Sequence, residues 1–444
     1  MEFLNNKNIA ILGFGLEGKS TYEFIRKNNQ NLPLTIIDKN EVKGINDKNV
    51  KIIYGEDYLN DLDKYDIIMK TPGISLKNTN ISSFKDKIYS QLELLLMVNR
   101  KNVIGITGTK GKSTTSTLIY NIIKKQNDNV YLAGNIGIPI FDLLDEFDEK
   151  SLLVIEMSSH QLEFVHHSPH IGIILNLYED HLDHAGTIEH YHECKMHMFD
   201  YQSDDDIAIY CSDNPNLLEQ IKIKNYKQNL YSVSLDTNSD VVRKDNQVIY
   251  NNEVIYLDNN KRNLIGEPNL ENIMVVSLVS KLLKLDLNKA KETIDSFTGL
   301  EHRLELVGTF DEVTYYNDTI ATIPEATISG IESLKKVNTL IFGGMDRGID
   351  YNSFIEYLRN SSIENLICMP TTGTKIGEFL INSNKNIYFV TTLEEAVLLA
   401  KKVTKKNSIC LLSPAASSYE AFKNFVEKGN KYKELVKNNE LTLR

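Results

Sequence analysis

The chain has 444 residues, 41% hydrophobic and 25% charged, with 49 lysines and arginines against 60 aspartates and glutamates. That length calls for several domains, and a net charge of −11 with no basic stretch excludes nucleic acid as a main partner. The opening residues do not read as a signal peptide, no apolar run approaches the roughly 20 residues of a membrane span, and the four cysteines form no C-x-x-C pair, so a cytoplasmic protein without a membrane partner is expected; the oligomeric state is left open, with a monomer as the default.

Residues 1–98 alternate short apolar strands (Ile9–Leu12, Leu34–Ile37, Lys51–Tyr54, Asp66–Met69) with polar helical stretches. This pattern predicts a small parallel, Rossmann-like sheet. After the first strand comes Gly13-Phe14-Gly15-Leu16-Glu17-Gly18-Lys19-Ser20. It satisfies both the G-x-x-x-x-G-K-[ST] phosphate-loop pattern and the G-x-G-x-x-G dinucleotide pattern. About 20 residues on, a strand ends in Asp38, the arrangement that reads a ribose hydroxyl. A nucleotide-like ligand other than ATP is therefore expected there. Thr71-Pro72-Gly73 follows another strand end, as a ligand loop or as an ordinary turn.

Residues 99–299 form the second expected domain, a P-loop ATPase-like parallel sheet with a small extra β region. The strand Val103–Thr107 breaks into Gly108-Thr109-Lys110-Gly111-Lys112-Ser113-Thr114 and runs into a helix. Backbone N–H groups of such a turn point at a phosphate. Lys112 would reach the terminal phosphates as a point charge, and a hydroxyl of Ser113 or Thr114 would bind Mg²⁺. A later apolar strand ends in Glu156, whose carboxylate suits a metal-bound phosphate. This loop is assigned ATP.

Nine of the ten histidines fall between His160 and His197, without H-E-x-x-H spacing; most read as surface or capping residues. His181 differs, since it follows a buried strand among Glu179, Asp180 and Asp183, although those acids could equally form a solvated turn. Gln247–Tyr250 and Glu253–Leu257 flank Asn251-Asn252 as a hairpin. Gly266 to Asn272 opens a long apolar helix. From residue 300 to 444 the α/β alternation resumes in five strands, predicting a doubly wound, Rossmann-like third domain.

With these motifs in place, the whole chain resembles the Mur ligase family. The likeness rests on GFGLEGKS, TPG, TGTKGKST, GNIG, the run Glu156-Met157-Ser158-Ser159-His160-Gln161-Leu162-Glu163, EDHLD, Asn269 with Asn272, His302-Arg303, Asn317-Asp318 and SPAASSYEAFKNFVEKG. The resemblance implies an ATP- and Mg²⁺-dependent amide ligase of peptidoglycan precursor synthesis. Its partners would be UDP-N-acetylmuramoyl-L-alanine and glutamate, joined through an acyl phosphate.

By the same resemblance, Lys112, Glu156, His181 and Lys195 are catalytic. Thr114 and Glu156 hold one Mg²⁺; His181 and Lys195, the latter carbamylated, hold a second. Asn269 and Asn272 lie near adenine, Arg303 near the phosphates and Asp318 near the ribose. Gly13, Phe14, Gly15, Leu16, Glu17, Asp38, Thr71, Pro72, Gly73, Asn135 and His181 line the UDP-substrate site. Thr322, Arg347, Ser418 and Phe425 form the amino-acid pocket. One departure stands out: Ile320 replaces the lysine that D-glutamate-adding members place opposite the glutamate carboxylates, and some relatives that add L-glutamate share this change. D-glutamate is favoured, with L-glutamate the alternative. A folylpolyglutamate-type ligase, a nicotinamide oxidoreductase using GFGLEG and a non-catalytic ATP-gated binder are the other readings.

Overall fold

The computed structural model describes residues 4, 7–134, 139–179, 182–236, 238–259, 261–264, 266–346, 350–418 and 422–438, excepting the side chains of 182, 183 and 325. Asn135, Asp180, His181 and Arg347 lie outside the described residues, as does the side chain of Asp183. The chain divides into two compact units, Met1–Phe297 and Thr298–Arg444. No described helix is long and apolar enough to cross a membrane.

The first unit holds two sheets. The smaller contains β1 (Ile9–Leu12), β2 (Leu34–Asp38), β3 (Val50–Tyr54), β4 (Ile67–Lys70) and β5 (Ile88–Tyr89) in the order β3-β2-β1-β4-β5. All its pairings are parallel. β1 is buried throughout, which is why its sequence is an unbroken apolar run rather than an alternating one. The chain winds outward from β1 to β3, then returns to β4 on the other side of β1. The C-terminal ends of β1 and β4 therefore flank the switch point, where open parallel sheets take ligands.

The larger sheet contains β6 (Val103–Thr107), β7 (Val130–Gly134), β8 (Leu152–Glu156), β9 (Ile171–Ile174), β10 (Ile207–Cys211), β11 (Asn229–Ser234), β12 (Val241–Lys244), β13 (Gln247–Tyr250) and β14 (Glu253–Leu257). The order is β14-β13-β12-β11-β10-β9-β6-β8-β7, parallel except where β13 runs against β12 and β14. The hairpin turns at Asn251 and Asn252, both with positive φ, as expected of an Asn-rich two-residue loop. What reads in sequence as a small extra β region is the continuation of the central sheet, because β12 pairs in parallel with β11. The expected boundary near residue 98 lies inside the first unit. There, Leu92, Leu95 and Leu96 of the Gln91–Asn99 helix join β1, β2 and β4 to β6–β9 in one apolar cluster.

The second unit carries β15 (Glu305–Phe310), β16 (Val313–Asn317), β17 (Val337–Phe342), β18 (Asn365–Cys368), β19 (Asn386–Phe389) and β20 (Ser408–Leu412), ordered β15-β16-β20-β17-β18-β19. The strand β15 escapes a sequence reading because Gly308 interrupts it. The structure accommodates that glycine at φ +150° in an irregularity of the antiparallel β15–β16 pair. The remaining pairings of this sheet are parallel.

Candidate functional site

The loop after β6 is set by its neighbours rather than by its glycines alone. Gly111 caps the Lys112–Lys124 helix at φ +85°, a conformation that glycine adopts without strain. A Cβ there would meet the Asn272 amide at 2.7 Å, so the side chain expected near ATP does pack on the phosphate loop. Asn176, just past β9, braces the loop from the other side: its Oδ1 accepts from Lys110 N at 2.8 Å and its Nδ2 donates to Lys110 O at 3.1 Å. Thr109 Oγ1 accepts from Tyr178 N at 3.0 Å and from the Tyr191 hydroxyl at 3.3 Å. Sequence reasoning missed Asn176; an asparagine ending an apolar strand was its only signal.

Two cations converge on this loop. Lys112 Nζ donates to the carbonyls of Gly108 at 3.0 Å and Thr109 at 2.9 Å. Lys195, on the Ile188–Asp200 helix and only 1% exposed, donates to the same Gly108 oxygen at 2.9 Å and lies over the Tyr191 ring. Glu156, also buried, ends β8 in register with Ile106 of β6. Thr114 is in the first turn of the loop helix. The described residues hold no cluster of three or more histidine, cysteine, aspartate or glutamate side chains that could ligate a metal. A threonine hydroxyl and one carboxylate beside a phosphate loop nevertheless fit Mg²⁺, which takes few protein oxygens and completes its shell with phosphate and water.

The first loop is built differently. Its helix, Leu16–Asn28, starts four residues after β1 ends, so Gly18 and Lys19 lie within the helix rather than ahead of it. Lys19 is exposed, and the phosphate-loop pattern there has no phosphate-loop geometry. The glycines serve close packing instead. A Cβ on Gly18 would come 2.1 Å from the Gly13 carbonyl, and one on Gly13 would strike Thr71 Oγ1. Thr71 N in turn donates to Leu12 O at 2.9 Å, which places the Thr71-Pro72-Gly73 turn against Gly13. Asp38 Oδ2 accepts from Phe14 N at 2.7 Å and Oδ1 from Asn40 N at 2.8 Å, so this carboxylate shapes the loop. Burial pushes Glu17 up to about 7, against the pull of Lys70 and a hydrogen bond from Gln161.

Beside this loop lies a buried polar cluster that sequence reasoning did not find. Lys70, the last residue of β4, pairs with Glu163 at 3.2 Å, with both side chains under 10% exposed. His184 and His190 approach the same carboxylate at 3.7 and 3.5 Å, and the rings of His160 and His184 stack at 3.7 Å. Burial disfavours the charged carboxylate, yet hydrogen bonds from both histidines and the Lys70 ammonium hold Glu163 well below the usual range. Hydrogen bonding to Cys194 and Glu163 raises His190 to about 10. Seven of the eight described histidines between His160 and His197 are at least partly exposed, yet several of them are held by buried acids rather than idle at the surface. His167 and His170 bond the buried carboxylates of Glu93 and Asp206 at 2.8 and 2.7 Å, and His192 is itself buried. The cause is tertiary: the Ser159–Leu162 and Ile188–Asp200 helices pack together and bring His190 to Glu163, while His167 and His170, in the segment between them, meet Glu93 of the Gln91–Asn99 helix and Asp206 just before β10.

In the second unit, Asp318 follows β16 and is raised to about 6 by burial, opposed by hydrogen bonds from Ser413 and Leu304 N and by the Arg303 charge. Its oxygens accept from Ser413 Oγ at 2.7 Å and Leu304 N at 3.1 Å. It thus fastens the turn that presents the exposed Arg303. Ala415 N donates to Ala321 O at 2.9 Å, which brings the loop of Ile320 and Thr322 beside the loop of Ser413–Ser418. Phe425 opens the Phe425–Lys437 helix and stands edge-on to His302 at 6.0 Å. Gly429, one turn further, lies so close to His302 that a Cβ would come 2.2 Å from its Nδ1.

Comparison with known proteins agrees with this architecture. Residues 106–280 match the Mur ligase middle domain, and residues 302–416 match the Mur ligase, glutamate ligase domain. A UDP-N-acetylmuramoylalanine–D-glutamate ligase of Clostridium kluyveri is 34% identical, with 98% of this chain and 97% of that protein covered. One of Clostridioides difficile is 32% identical over 98% and 99%. Among solved structures, a MurF ligase from Thermotoga maritima in complex with ADP shares the fold at a TM-score of 0.56 and 18% identity, covering 96% of this chain and 93% of that one. A UDP-N-acetylmuramate–alanine ligase MurC from the same organism gives 0.54 and 17%, over 97% and 99%.

Proposed function

The chain belongs to the Mur ligase family, and on that premise we propose that it is an ATP-dependent amide ligase that adds D-glutamate to UDP-N-acetylmuramoyl-L-alanine in peptidoglycan precursor synthesis. The observation that carries this reading is the meeting of Lys112 and Lys195 on the Gly108 carbonyl of the loop after β6. Lys112, at the glycine turn and helix start where backbone N–H groups converge, makes a site for concentrated negative charge, as a triphosphate supplies, and Lys195 at the same carbonyl would serve as a metal ligand once carbamylated.

A carboxylate is a poor electrophile. In the first step its oxygen attacks the γ-phosphorus of ATP, the bond to the β-bridging oxygen breaks, and ADP leaves. The glutamate nitrogen then attacks the acyl carbon. A tetrahedral intermediate collapses with loss of phosphate, and the nitrogen gives up a proton to yield the amide. Both steps depend on positioning and charge neutralisation more than on covalent help from the protein. Lys112 releases the loop carbonyls and follows the transferring phosphoryl group, while loop N–H groups orient the phosphates.

Thr114 and Glu156 would hold one Mg²⁺, with His181 and Lys195 at a second. Bound Mg²⁺ neutralises phosphate charge and polarises the transferring group. Carbamylation of Lys195 would remove the repulsion between the two ammoniums and turn a donor into an anionic oxygen ligand. Gly13–Glu17, Asp38, the Thr71–Gly73 turn, Asn135 and His181 take the UDP substrate. Asn269 and Asn272 take adenine, Arg303 the phosphates and Asp318 the ribose. Thr322, Arg347, Ser418 and Phe425 take the amino acid. Ile320, half-buried and uncharged, is the observation that favours L-glutamate as a second reading.

Incubation with UDP-N-acetylmuramoyl-L-alanine, ATP, Mg²⁺ and each glutamate enantiomer tests this. Phosphate release with D-glutamate is expected; release with neither enantiomer would refute the ligase, and release with L-glutamate alone would select the second reading.

A further inference from the structure

Glu17 puts an acid in the loop assigned to a charged nucleotide. It is the second residue of the Leu16–Asn28 helix, whose cap is Gly15, and it is half-buried beside the switch point between β1 and β4. Its backbone carbonyl accepts from Thr21 Oγ1 at 2.9 Å and from Gln91 Nε2 at 3.1 Å, which fixes the turn that carries the side chain.

Two elements face the carboxyl group. From the Ser159–Leu162 helix comes Gln161, whose Oε1 already accepts from Ser158 N at 3.1 Å and Ser158 Oγ at 3.2 Å. That leaves the Gln161 amide nitrogen to donate to Glu17. From the end of β4 comes the charge of Lys70. This ammonium is paired with Glu163 at 3.2 Å, and His184 and His190 approach Glu163 rather than Glu17. Glu17 itself forms no ion pair among the described residues. The helix N-terminus, Lys70 and Gln161 all favour the ionised acid. Burial outweighs them and pushes its pKa up to about 7.

A nucleotide sugar brings a doubly charged diphosphate to the same loop. It competes with Glu17 for the N–H groups of the first helical turn and for the field of Lys70. A half-buried carboxylate that loses both is poorly compensated. The neutral acid is not, and its O–H is a donor.

Resting on the assignment of the UDP substrate to this loop, we propose that the substrate binds with Glu17 as the neutral acid, so that binding draws one proton from solvent onto its carboxyl group. Affinity for the UDP substrate then falls as pH rises, although the substrate's own diphosphate and carboxylate stay ionised throughout.

Titration calorimetry of the full chain with UDP-N-acetylmuramoyl-L-alanine, in buffers of different ionisation enthalpy, counts the protons. Wild type takes up about three-quarters of a proton per substrate at pH 7.5 and about a tenth at pH 6, with Kd rising by nearly tenfold per unit above pH 7. Glu17→Gln, neutral at every pH, loses that uptake and binds about tenfold more tightly than wild type at pH 8. Should this variant fail to fold, Glu17→Ser provides the same comparison of proton uptake. Proton release, no uptake by wild type, or equal uptake by the variant overturns the inference. A wild type that binds none of this substrate at any pH overturns instead the assignment of the loop, and the ligase reading with it.

Discussion

Lys112 and Lys19 both follow a glycine in a phosphate-loop pattern, yet only Lys112 opens its helix; Lys19 sits in the second turn and faces solvent. Lys112→Ala should therefore lower kcat by about 100- to 1,000-fold through lost charge stabilisation. Lys19→Ala should leave kcat intact and at most raise the KM for the UDP substrate. Steady-state kinetics on the two variants reads the difference, and a swapped pattern would reverse the assignment of the loops. Asp318 gives a prediction of opposite kind. Its folded pKa of about 6 exceeds the unfolded value of 3.8, so between these pH values the folded state binds the extra proton. Its contribution to stability is present below pH 4 and is lost as pH rises through 6. Relative to Asp318→Asn, wild type should lose about 3 kcal/mol between pH 4 and pH 7. Urea unfolding of both proteins across that range measures this, and parallel curves would contradict it.

At the scale of elements, close approaches decide what a helix can do. The Leu16–Asn28 helix lies against the loop after β1 only because Gly18 has no side chain to meet the Gly13 carbonyl. Gly18→Ala should push helix and loop apart, raise the KM for the UDP substrate at least tenfold and cost about 1–3 kcal/mol of stability. The KM for ATP, whose loop is braced separately by Asn176 and Asn272, should not change. Equal losses for both substrates would mean that the two loops are coupled. The strands were mostly legible from their apolar runs, since parallel strands covered on both faces leave little room for polar residues. The exceptions are instructive: β15 hides behind Gly308, and β11 and β12 mix polar and apolar residues on partly exposed strands.

Across the first unit, the Lys70–Glu163 pair ties the end of β4, in the smaller sheet, to the helix that follows β8 in the larger one. Removing one partner leaves a buried charge, so Lys70→Met should destabilise by about 3–5 kcal/mol. The double variant Lys70→Met/Glu163→Gln should recover part of that loss, and a double-mutant cycle from denaturant unfolding would expose the coupling. Strict additivity would show that the pair does not link the sheets energetically.

The two glycine loops, the acid at the end of β8 and the three runs of α/β alternation could all be read from residue order, because each depends on neighbours a few positions apart. The convergence of Lys112 with Lys195, the brace from Asn176 and the histidines gathered on buried acids could not. Those contacts join residues far apart in the chain, and a lysine or histidine has the same local signature whether it faces water or a buried oxygen. Only packing decides which it meets.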